Sequence, residues 1–135
     1  MEACINLQNL ASRPSTRMAI KVKGKILLIN PGDVVAVVAE GNYVLLEQES
    51  KSYMLRESIS VVAENLEPFG FIRIHRSTLV NAAFVEEIKR YSTGEYSVHL
   101  RGGKEYAVTR TYKENLKSLA EFWFGTGAFF SGGRQ

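Results

Sequence analysis

Five residues carry more potential chemistry than any other short run in this chain: Arg73-Ile74-His75-Arg76-Ser77, with Asn81 close behind. They stand where a β-type run, FIRIH, gives way to polar residues. One reading is a surface turn with solvated charges. The other is a loop that meets a nucleic acid: Arg76 can bond guanine O6 and N7 with both arms of its guanidinium or enter a minor groove, while Arg73 and Ser77 hold phosphates. Loops between strands suit that task, because a rigid sheet aims a few long polar side chains outward.

Catalysis needs a constellation that this sequence does not offer. Asp33 is the only aspartate, and it follows Pro31-Gly32, where a turn-forming aspartate is the ordinary case. One aspartate is too few to hold the magnesium of a phosphoacceptor site within this chain. No glycine-rich phosphate loop, HExxH or GxSxG is present. His75 and His99 lack a cysteine or second histidine at metal-ligand spacing, and His99 reads as a half-exposed strand residue. Cys4 stands alone, so no intrachain disulfide or thiolate cluster forms. Neither enzyme chemistry nor a metal or cofactor is expected.

The 135 residues suit a single domain, and a 45% hydrophobic, 23% charged composition is that of an ordinary globular chain. No apolar run is long enough to span a membrane and the first residues lack the form of a secretory signal, which points to the cytoplasm. The net charge of +3 is unevenly spread: residues 71–113 hold eight basic and four acidic side chains. That excess favours an anionic partner.

The elements that must position these residues are mostly strands. MAIKV and the run from Ile26 flank Lys23-Gly24-Lys25 as a hairpin, stopped by Asn30-Pro31-Gly32. VVAVVAE reads as a buried strand, and Gly41-Asn42 turns it into YVLLEQ. After SYMLR, Ser58 caps a short helix bearing Ile59, Val62 and Leu66. FIRIH, FVEEIKRY, EYSVHL and KEYAVT form further strands around Ser92-Thr93-Gly94 and Gly102-Gly103. Tyr112, Leu116, Leu119 and Trp123 then repeat at α-helical spacing from Thr111 until Gly125. The expected fold is mainly β with short helices (α+β): nine or ten short strands and a C-terminal helix. Residues 1–17 read as a loose leader, 18–124 as the domain, and 125–135 as a Gly-rich mobile tail carrying Phe129-Phe130.

Residues 71–81, FIRIHRSTLVN, resemble the signature of the LytTR family of bacterial DNA-binding domains: a strand, His-Arg-Ser, two apolar residues and Asn. The likeness extends from about Met18 to Phe124, through Gly41-Asn42-Tyr43, the short helix after Arg56, Gly102-Gly103, and Val108-Thr109-Arg110 before a last helix. It implies a transcription regulator with an elongated β-β-β fold in which loops, not a recognition helix, enter successive grooves of double-stranded DNA. Asn42, with Tyr43, is then the base reader of the first loop, since Asn matches the bonding pattern of adenine; a turn Asn tolerating positive φ is its plainer reading. Arg76 is the contact of the middle loop and Arg110 that of the third. Lys89, Arg90, Lys104 and Lys113 become phosphate neighbours, although a solvated face explains each as well. His75 and Asn81 would brace the loop through backbone bonds. Spaced half-sites, a homodimer on DNA and a regulatory protein partner would fit such a regulator. The chain looks like a DNA-binding domain standing alone, without a receiver domain, or like a fragment of something longer. The alternative is a protein-interaction module using sheet edges or the Phe129-Phe130 tail; RNA binding fits less well, because the aromatics alternate as core residues do.

Overall fold

The computed structural model describes residues 17–124. The leader up to residue 16 and the tail with Phe129-Phe130 lie outside the described residues, as does Cys4.

Among the described residues ten strands form three antiparallel sheets. β1 (Met18–Val22) and β2 (Lys25–Ile29) make a two-stranded ribbon through the Lys23-Gly24 turn, where both residues have positive φ. Asn30 ends it: its side-chain oxygen accepts from the Gly32 amide at 2.8 Å, opening a 3-10 turn at Pro31–Asp33 in which Asp33 is exposed. Asp33 thus takes the turn role its surroundings dictate.

β3 (Val34–Glu40), β4 (Tyr43–Gln48), β5 (Ser52–Leu55), β6 (Phe71–His75) and β7 (Thr78–Asn81) form a central sheet in the order β5-β4-β3-β7-β6. α1 (Ile59–Leu66) covers one face, with Ser58 Oγ accepting from the Val61 amide at 3.2 Å and Val62 and Leu66 turned inward. β8 (Val85–Arg90), β9 (Tyr96–Leu100) and β10 (Glu105–Val108) form the third sheet.

The central sheet serves two cores. Val34, Val37, Val44 and Leu79 pack with Ile20, Ile29 and Leu66 on one side. Val35, Ala36 and Val80 pack with Phe84, Val98 and Leu116 on the other. β3 can face both because its residues alternate, with a register shift between Val34 and Ala36 that turns two consecutive residues to the second core. The four residues 34–37 are at most 1% exposed, and fully burying each valine stabilises by about 1.5–3 kcal/mol.

The last element departs from the α-helical reading. Arg110–Leu119 is a 3-10 helix, and Trp123 falls beyond its end. In a 3-10 helix residues three apart eclipse one another. Tyr112 and Asn115 therefore both reach Arg73, while Leu116 and Leu119 both turn to the second core. Contacts at a three-residue interval outweigh the α-like spacing of Tyr112, Leu116 and Trp123.

Candidate nucleic-acid interface

Strand register puts three loops at one end of the molecule. Glu40 pairs with Tyr43, so Gly41-Asn42 closes the β3–β4 hairpin, and Val38 pairs with Thr78, so the β6–β7 loop lies beside it. The Ala39 amide donates to the Ser77 carbonyl at 2.8 Å and joins the two. The Thr109 amide donates to the Ile74 carbonyl at 2.9 Å, which fixes the entry to Arg110 against the same strand end. Two backbone bonds thus chain the first loop to the second and the second to the third.

Asn42 is exposed, and the positive φ of this turn falls on Gly41 at 61°, so conformational tolerance does not account for the asparagine. Tyr43 beside it is 40% exposed, and the Arg56 guanidinium lies 5.8 Å from its ring centroid. Sequence reasoning did not single out Arg56; the signal is its place, one residue past the Leu55 that pairs with Val44.

Arg76 and Arg110 are exposed. Neither forms an ion pair among the described residues, and the same holds for Arg90. Arg90, Arg110 and Lys113 line one groove of about 1040 Å³ between the β8–β9 turn and the 3-10 helix, together with Thr93, Glu95 and Tyr96. Lys113 is half-buried with its ammonium 5.9 Å from the Tyr96 ring. Lys89 is exposed on β8 and acts on Glu105, whose carboxyl is held below its usual range by the Tyr91 hydroxyl first, then by Ser97, His99 and Lys89. His99 Nε2 is 3.3 Å from Glu105 Oε2 but off the hydrogen-bonding direction.

Three of the polar residues are committed to structure. His75 Nδ1 accepts from the Ser77 amide at 3.1 Å and lies 2.9 Å from Ser77 Oγ, which places the ring proton on Nε2 and closes the loop on itself. Arg73 is half-buried, with its Nε 3.3 Å from the His75 carbonyl oxygen and an Nη donating to the Arg76 carbonyl. Asn81 braces a different place from the one its motif suggests. It pairs with Phe71 at the opposite end of the β6–β7 hairpin, where it donates to the Val34 carbonyl at 2.9 Å and accepts from the Ala83 amide at 3.0 Å.

Lys104 is not brought to the loop end either. It sits on the β9–β10 turn, opposite Val108 and Arg110 along the strands, with its ammonium 3.2 Å from Glu47 Oε1. The Tyr106 hydroxyl donates to that oxygen at 2.5 Å, and burial and then the Glu47 carboxylate push the phenol well above its usual pKa. Among the described residues no group of three or more His, Cys, Asp and Glu side chains converges as a metal ion requires, and no helix is long and apolar enough to cross a membrane.

Three sheets, with Arg76, Arg90 and Arg110 at one end and free of ion pairs among the described residues, define a β-rich module with a cationic edge. Comparison with known families names it: a model described as the LytTr DNA-binding domain matches residues 24–121, and the chain belongs to that family. It is 28% identical over 103 residues to the sensory transduction protein LytT of Bacillus subtilis, covering 76% of this chain and 43% of that protein. The sensory transduction protein LytR of Staphylococcus saprophyticus is 24% identical over 111 residues, covering 82% of this chain and 44% of that protein. The chain therefore spans less than half the length of these relatives. The fold matches the LytTr DNA-binding domain of a Bacillus cereus protein with a TM-score of 0.68, at 19% identity, over 79% of this chain and 98% of that one.

Proposed function

We propose that the chain binds double-stranded DNA sequence-specifically through its three adjoining loops and acts as a bacterial transcription regulator in the cytoplasm. The observation that carries this reading is the pair of backbone bonds, Ala39 to Ser77 and Thr109 to Ile74, which hold Asn42, Arg76 and Arg110 on one end with neither arginine in an ion pair among the described residues. Asn42, Arg76 and Arg110 read bases, with Tyr43 beside the first. Arg56, Arg90 and Lys113, with Lys89 at the margin, meet phosphates and supply most of the affinity, which falls steeply with salt. Names of the relatives, sensory transduction proteins LytT and LytR, support a regulatory role. Spaced half-sites, a homodimer assembled on them and a protein partner that supplies the signal complete the reading.

The test is selection from randomised duplex DNA by the purified protein at near-physiological salt, with Arg110→Ala in parallel. One enriched motif, lost in the variant, is the expected result. Weak binding without any motif would overturn it. The competing reading, an interaction module using sheet edges, draws on the exposed Ile26 and Leu28 of β2, 69% and 57% accessible. Retention on heparin that falls with salt separates the two, because those apolar side chains have no affinity for a polyanion.

A further inference from the structure

Arg73 carries the motif's first positive charge, yet its surroundings leave it little to offer a phosphate. The β6–β7 register slips between Arg73 and His75, a bulge that sets extra backbone on the β6 side and interrupts the ladder. Ile74 has no partner in that register, and its carbonyl accepts from the Thr109 amide at 2.9 Å. The Arg73 guanidinium holds the next two carbonyls, donating from Nε to that of His75, the last residue of β6, and from Nη to that of Arg76 in the loop. One face of the same group lies 5.6 Å from the Tyr112 ring centroid, and the Arg73 carbonyl accepts from Asn115 Nδ2 at 2.8 Å. Tyr112 and Asn115 belong to the 3-10 helix that Arg110 begins. A single side chain therefore touches the backbone of the middle loop and the element that carries the third.

From this we infer that Arg73 is a positioning residue, not a DNA contact: it fixes the pose of Arg76 and locks the middle loop to the Arg110 helix, so that two base readers move as one unit. The guanidinium meets the two carbonyls from two separate nitrogens while lying over the ring, whereas a lysine ammonium gathers its donors at one point, so Arg73→Lys keeps the charge and loses this geometry. The inference rests on the DNA-binding reading for its consequence, though not for its geometry.

Arg73→Lys and Arg73→Gln test it on the full chain, with two readouts. The first is binding to the selected site and to random duplex across a salt series. A positioning role predicts that Arg73→Lys keeps its affinity for random duplex and its salt slope but loses about tenfold in preference at the base read by Arg76. If Arg73 instead holds a phosphate, Arg73→Lys keeps the preference and Arg73→Gln lowers the slope by about 0.9. That result overturns the inference. The second readout needs no DNA: backbone amide exchange at residues 75–77 of the free protein, measured by NMR, accelerates in Arg73→Lys, and unchanged exchange also overturns the inference. A wild-type protein that selects no motif would remove the proposed function while leaving this second readout decisive. Should Arg73→Lys melt early, Tyr112→Leu carries both measurements, since it removes the ring against Arg73 and spares the backbone.

Discussion

The two ends of the molecule carry similar side chains and treat them in opposite ways. At the loop end, Arg76, Arg90 and Arg110 stand exposed without a carboxylate partner among the described residues. At the other end, Lys104 is paired with Glu47 at 3.2 Å, and Arg101 lies 3.5 Å from Glu49 with its guanidinium 4.3 Å from the Phe84 ring centroid. A regional excess of positive charge is thus a poor guide to an interface. What distinguishes the ends is whether distant acids have already satisfied the cations.

The comparison predicts where substitutions are felt. Arg110→Ala has the largest effect, costing about 1–3 kcal/mol on the selected site and flattening preference at one base position, as binding across a panel of single-base operator variants would reveal. Asn42→Ala follows, toward the lower part of that range and at a different base position, because asparagine reads through neutral hydrogen bonds. Equal losses on specific and random duplex for both variants would erase the functional distinction between the ends. Tyr106→Phe, at the opposite end, removes the bond to Glu47 and lowers stability by about 1 kcal/mol in chemical denaturation, with DNA preference untouched. The smallest effect belongs to Lys104→Ala. Its pair with Glu47 is worth at most about 1 kcal/mol, and its distance from the loops leaves DNA binding within error of wild type. A loss on all duplexes alike would extend the interface to that end.

Much of this was legible in the sequence because it is local. Lys23-Gly24, Gly41-Asn42 and Asn30-Pro31-Gly32 are turn chemistry, Ser58 is a cap, and the first four residues of VVAVVAE are buried on both faces, as their composition demands. The signature at Phe71–Asn81 identified the family. The illegible parts depend on long-range partners. Glu47 meets Lys104 and Tyr106 across 57 and 59 residues, and no pattern near Lys104 announces that. Arg73 and Arg76 are alike in sequence, yet one donates to the protein's own carbonyls and the other stands exposed. In the terminal segment Tyr112, Leu116 and Leu119 fit an α-helical period, but contacts with Arg73 and the second core accompany three residues per turn.

The dual-faced β3 has a consequence for how the molecule comes apart. A sheet that is the wall of two cores cannot be stripped from one side and keep the other: removing β8 to β10 would lay bare Val35, Ala36 and Val80, and removing the β1–β2 ribbon would lay bare Val34 and Val37. Neither half is a foldon in its own right. The chain should melt in one cooperative transition, with the amides of Val35 to Val38 the last to exchange with deuterium. Shuffling in evolution would then move this module as an indivisible whole, varying its loop tips while β3 stays fixed between them.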